Sequence, residues 1–88
     1  SIKAAARGYR EINLRGMKLV RNGGYLVTCS CSQHVSSEQF INMINTAARD
    51  AKKRVRMVEF RTQGHDHPIL PASNETQYLK CAILQVFD

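Results

Sequence analysis

The stretch from Tyr25 to Ser32, Tyr-Leu-Val-Thr-Cys-Ser-Cys-Ser, constrains this chain more than any other. It begins with residues of strand-forming character and runs into a polar tip that holds two of the three cysteines. Asn22-Gly23-Gly24 stands ahead of it as a helix stop, and Ser36-Ser37-Glu38-Gln39 behind it as a helix start. The spacing therefore predicts helix, turn, strand, loop, helix. In open α/β sheets ligands collect beyond the carboxyl ends of strands, where loops meet helix N-termini that present free backbone N–H groups. Thr28 to His34 occupies that position.

The flanking patterns complete the unit. From Ala4 to Val20 the residues Ala5, Tyr9, Ile12, Gly16, Leu19 and Val20 recur at three- and four-residue spacing, which predicts an amphipathic helix with those residues buried. Ser36 and Gln39 form a capping-box pattern, and Phe40, Ile44, Ala47, Ala48 and Ala51 give a second apolar stripe reaching about Lys52. Arg54 to Arg61 alternates, with Val58 and Phe60 on one side and Val55 and Met57 on the other, while Arg56 and Glu59 mark it as an edge strand. Tyr78 to Phe87 is nearly continuously apolar, as a strand covered on both faces should be. Between them Thr62 to Gln77 holds both prolines and two of the three histidines, so a long hairpin is expected, its last strand inserted between the central and edge strands.

At 88 residues the chain makes one domain at most, and a fold of this size buries only about 60% of the surface its unfolded chain exposes. No apolar run approaches the ~20 residues of a membrane span and no signal-peptide layout opens the chain, which reads as soluble and intracellular. Cys29 and Cys31 are too close along one strand to pair easily, and an odd cysteine count argues against a secreted disulfide scaffold. Free thiols are expected. The start at Ser1, directly inside a helical pattern, reads as a fragment of a longer protein. Thirteen Lys and Arg against seven Asp and Glu leave a net charge of +6, which favours a polyanionic partner. The candidate phosphate ligands are Arg10, Arg49, Lys52, Lys53 and Arg54.

This order of elements resembles the C-terminal half of a class I S-adenosylmethionine-dependent methyltransferase, a Rossmann-like α/β sheet whose last strand is antiparallel and inserted. More narrowly, Gly24 to Ser32 (Gly-Tyr-Leu-Val-Thr-Cys-Ser-Cys-Ser), Asp66-His67-Pro68 and Tyr78-Leu79-Lys80 resemble segments of the bacterial large-subunit ribosomal RNA methyltransferases acting on carbon 5 of cytosine. The resemblance implies methyl transfer from S-adenosylmethionine to a cytosine of ribosomal RNA in the cytoplasm. It implies a cysteine nucleophile too, because carbon 5 of cytosine attacks poorly until a thiolate adds to carbon 6. Residues 1–88 would form the C-terminal portion of one catalytic domain. The G-x-G-x-G cofactor loop, the acidic residue ending a second strand, the Asp-Pro-Pro-x-Phe segment and a PUA-type RNA-binding domain would lie upstream. The fragment alone is expected to be inactive and to hold no cofactor-binding residue.

Two cysteines compete for the nucleophile. Alternate residues of a strand share a face, so Cys29 and Cys31 point the same way. Cys29 fills the Thr-Cys-Ser position used by other RNA cytosine methyltransferases, whereas Cys31 matches the cysteine shared within the family resembled most closely. Cys31 also lies nearer the strand's carboxyl end and the following helix N-terminus, and it is the preferred candidate. Cys81, mid-strand, reads as core. Thr28, Ser32, Asp66, His67 and Pro68 are the substrate-binding candidates, with His67 shaping the base pocket. Cys29, Cys31, His34, His65 and His67 include enough ligand types for zinc, but Cys-x-Cys is an uncommon zinc pattern and no metal is expected. A thiol hydrolase pairing Cys31 with His67 lacks an announced oxyanion hole. The competing reading is a non-catalytic module that binds RNA or self-associates through its sheet. In either case the sheet face opposite the helices lacks cover, and a homodimer through that face or its edge is expected.

Overall fold

The computed structural model describes residues 2–32, 34–62 and 79–88. Helix α1 (Ile2–Leu19) leads to strand β1 (Tyr25–Ser30), helix α2 (Ser37–Ala51), strand β2 (Arg54–Thr62) and strand β3 (Lys80–Phe87). The sheet order is β1-β3-β2 with both pairings antiparallel, so the last strand is inserted and the charged strand takes an edge, as expected from the sequence. Asp66, His67 and Pro68, like His65 and Tyr78, lie outside the described residues. No helix among the described residues is long and apolar enough to cross a membrane.

The two helices bury one face of the sheet. Phe40, Met43, Ile44, Ala47, Ala48 and Ala51 of α2 join Met17 of α1 over Ala82, Leu84 and Val86 of β3. The helix is started by the anticipated capping box: Gln39 N–H donates to Ser36 Oγ at 3.0 Å and Ser36 N–H to Gln39 Oε1 at 2.8 Å. It ends at Lys52, which takes up the left-handed conformation (φ 58°) that a glycine would adopt with less strain, its N–H reaching the Ala48 and Arg49 carbonyls.

Helix α1 buries a different stripe from the one its apolar residues suggest. Ile12 and Leu19 are 69% and 87% exposed, while Asn13 and Met17 are buried and Tyr9, Leu14 and Val20 pack against the core. Asn13 can take a core position because its side-chain amide donates to the Tyr9 carbonyl one turn earlier at 2.7 Å, which satisfies a buried donor. Gly16 lets the helix approach β1: a Cβ there would stand 3.2 Å from Leu26 Cδ1. After the helix, Gly23 turns the chain at φ 82°, a conformation that glycine adopts without steric cost. The turn is stitched to the end of β3, since Gly23 N–H donates to the Val86 carbonyl and Val86 N–H to the Gly24 carbonyl.

Strand β2 corrects the simple alternation. Its register against β3 slips between Met57 and Glu59, so Val58 is an extra residue in a β-bulge. Val55, Met57 and Phe60 therefore oppose Val86, Leu84 and Ala82 on the helix-covered face, and Phe60 meets Phe40 with ring centroids 6.3 Å apart. Val58 does not share a face with Phe60. Arg54, Arg56, Glu59 and Arg61 oppose Phe87, Gln85, Ile83 and Cys81 on the other face. Strand β3 is likewise not covered on both sides: its residues alternate between buried and half-buried along the whole strand. Among the described residues nothing covers the second face, where Tyr25 and Val27 are 61% and 63% exposed.

Candidate functional site

The carboxyl end of β1 is built by three local devices. Ser30 is the last residue of β1 in register with β3, where it opposes Lys80. Beyond it Ser32 N–H donates to Ser30 Oγ at 3.3 Å, His34 N–H donates to Ser32 Oγ at 3.2 Å, and Val35 N–H reaches the Ser32 carbonyl at 3.4 Å. These short-range bonds curl the chain from strand into the α2 cap. The third device is Lys80, only 3% exposed, whose Nζ donates to the same Ser32 carbonyl at 3.1 Å. A long-range charge-assisted bond thus fixes the residue next to Cys31.

Cys31 is exposed and carries a free thiol. Cys29 and Cys81 face each other directly across the β1–β3 ladder with Cα atoms 4.1 Å apart, and they are joined in a disulfide. The expectation of three free thiols is therefore corrected. The sequence reading weighed only the pairing of Cys29 with Cys31; the antiparallel register supplies a partner 52 residues away instead. Cys81 is half-buried on the open face rather than set in the core. A bonded sulfur offers no thiolate, so the available nucleophile at this strand end is Cys31.

The other candidates fall unevenly around it. Ser32 adjoins Cys31, but its hydroxyl oxygen and its carbonyl are engaged in shaping the loop. Thr28 opposes Ala82 on the helix-covered face, away from the face of Cys29, so the strand does not bring its side chain to the same side as the cysteines. No group of three or more His, Cys, Asp or Glu side chains placed to hold a metal occurs among the described residues. Of the cationic candidates, Lys53 pairs with Asp88 at 2.6 Å and Arg54 donates to the Asp88 carbonyl at 3.3 Å, so both tie down the C-terminus. Arg49 and Lys52 are exposed near the end of α2, and Arg10 lies on α1 facing α2. Lys80 is the residue at this strand end that the sequence reading did not include among its candidates. A lysine inside an otherwise apolar strand was the available signal, because burying an ammonium demands partners.

No protein-family model matches the chain. Individual proteins do. Over 86 residues, 98% of this chain, it is 42% identical to the ribosomal RNA large subunit methyltransferase I of Shewanella denitrificans. It is 38% identical over its full length to the protein of the same name in Alteromonas mediterranea. The chain spans 22% of the length of each of these relatives. Among solved structures, SMU.776, described as a candidate methyltransferase complexed with SAH, superposes with a TM-score of 0.77 at 14% identity, over 91% of this chain and 20% of that one. The inserted antiparallel strand and the two-helix layer thus match part of a larger fold, and the sequence alignments cover nearly the whole chain. Over nearly its whole length, this chain is similar to one segment of proteins named ribosomal RNA large subunit methyltransferase.

Proposed function

We propose that the chain is the C-terminal part of an S-adenosylmethionine-dependent methyltransferase that acts in the cytoplasm on carbon 5 of a cytosine in large-subunit ribosomal RNA, with Cys31 as nucleophile. The observation that carries this reading is the free, exposed Cys31 at the carboxyl end of β1, held in place by the Lys80 bond to Ser32. The relatives' names support methyl transfer and a large-subunit ribosomal RNA substrate, while carbon 5 of cytosine rests on the motif resemblance. The Cys31 thiolate adds to carbon 6 of the cytosine, the carbon 5–carbon 6 double bond shifts its electrons, and carbon 5 becomes enamine-like and able to accept a methyl group. Loss of the carbon 5 proton then expels the thiolate and restores the ring. On this reading the methyl-donor site lies upstream, since the paired glycines, Gly23 and Gly24, precede a strand instead of following one.

The test is a trapped adduct. The longer protein, given methyl donor and substrate RNA carrying 5-fluorocytidine at the target, should accumulate a covalent RNA–protein complex, because fluorine cannot leave as the proton does. Peptide mass mapping should place the bond on Cys31. An adduct on Cys29 would move the assignment, and no adduct at all under turnover conditions would remove the covalent mechanism.

The open sheet face gives the isolated chain a second property. Tyr25 and Val27 are exposed there beside the half-buried Ile83 and Phe87, and β1 has a free edge. In water such a face is covered by self-association when no other element covers it. The isolated chain should therefore scatter light as a dimer at tens of micromolar, at twice its 10.0 kDa mass. A monomer with a cooperative melt would show that the chain tolerates the open face.

A further inference from the structure

We infer that the groove between α1 and α2, at the end of the molecule that carries Cys31, binds the phosphodiester backbone of the RNA a few nucleotides from the base presented to that thiol. The groove has a volume of about 360 Å³ and is lined by Lys3, Arg7, Arg10, Met43 and Thr46. Its three cations fall at i, i+4 and i+7 of α1, so they stand on one helix face. None of them forms an ion pair among the described residues, whereas Arg15 pairs with Glu11, Lys53 with Asp88 and Arg61 with Glu59. Like charges at helix-face spacing repel one another, and a bound polyanion removes that repulsion. Three cations along one wall suit the evenly spaced charges of a backbone segment, because most hydrogen bonds to nucleic acid go to phosphate and sugar.

Position favours the same ligand. Helix α1 runs back along β1 from the Gly23 turn, since Gly16 packs on Leu26 at matching distances from that turn. At 1.5 Å per helical residue, Arg10 lies roughly 20 Å from the turn. At about 3.3 Å per strand residue, Ser30 lies roughly 23 Å from it. The cationic groove and the Cys31 loop therefore sit at one end of the fold. The unpaired Lys18 and Arg21 sit at the other. This inference rests on the RNA substrate proposed above, but its test does not require methyl transfer.

Binding of a fluorescein-labelled single-stranded 20-nucleotide RNA to the chain, followed by anisotropy from 50 to 200 mM KCl, reads the groove directly. Each phosphate contact on a single strand contributes about −0.7 to the slope of log K against log salt, so Arg7→Gln/Arg10→Gln should reduce the slope by about 1.4 and weaken binding about tenfold at 100 mM. Lys18→Gln/Arg21→Gln, with the same change in net charge, should leave the slope within about 0.3 of the parent. Arg7→Lys/Arg10→Lys keeps the charge and should restore the slope, which separates loss of contact from loss of fold. Equal losses in the two glutamine pairs, or an unchanged slope in the groove pair, would overturn the inference. If the groove pair alone loses binding while the longer protein with its full sequence transfers no methyl group, the groove stands and the enzymatic reading falls.

Discussion

In the longer protein Cys31→Ala should lower methyl transfer by on the order of 10³-fold or more, with binding of the methyl donor unchanged. Removing a covalent nucleophile acts on this scale because no second group splits the barrier in the same way. The donor's affinity should hold, since the proposed donor site lies upstream of these residues. Cys29→Ala is the informative companion. Its sulfur is bonded to Cys81, so the substitution opens a link across the β1–β3 ladder and should lower thermal stability while leaving turnover within a few-fold. Cys31→Ala with near-normal turnover, beside an inactive Cys29→Ala, would reverse the assignment and imply that the Cys29–Cys81 bond is open in the working enzyme.

Much of this arrangement was legible in the sequence, and the exceptions share a cause. The α2 stripe, the Ser36–Gln39 capping box and the inserted last strand follow from local chemistry: periodicity, a capping pair and a long apolar run. What was misread depends on hydrogen bonds and strand pairings that periodicity does not show. Asn13 reads as a surface residue until the Tyr9 carbonyl takes up its amide, and the α1 stripe then turns so that Ile12 faces solvent. Val58 breaks the alternation of β2 only through its register with β3. The Cys29–Cys81 pair likewise exists only once β1 and β3 are laid side by side, because register decides which residues face each other. At the candidate site the sequence preferred Cys31 over Cys29 through its place at the strand end and the resemblance. The lysine bonded to its loop stood out only as a charge in an apolar strand, and its partner, 48 residues away, was not legible.

That lysine leads to the second large expected effect. Lys80 opposes Ser30 in β1 and Thr62 in β2, sits 3% exposed, and sends its ammonium to the Ser32 carbonyl. A buried ammonium carries a desolvation cost of several kcal/mol, against which a hydrogen bond from a charged group returns about 1.5–3 kcal/mol. Methionine fills nearly the same volume without either contribution, so Lys80→Met should change stability by no more than about 1 kcal/mol. Its effect on catalysis should be far larger. Without the ammonium, Ser32 is held only by its short-range bonds, and a displacement of about 1 Å at the adjacent Cys31 can cost on the order of 100-fold in rate. In the longer protein Lys80→Met should therefore lower kcat about 10- to 100-fold with KM for RNA nearly unchanged, because the Lys80 ammonium is buried beneath the loop rather than placed to meet phosphate. Lys80→Arg, which keeps a cationic donor in reach of the carbonyl, should recover part of the loss. Equal turnover in Lys80→Met and the parent, with the urea midpoint also unchanged, would reduce the Ser32 bond to a bystander and leave Cys31 positioned by the Ser30–His34 turn alone.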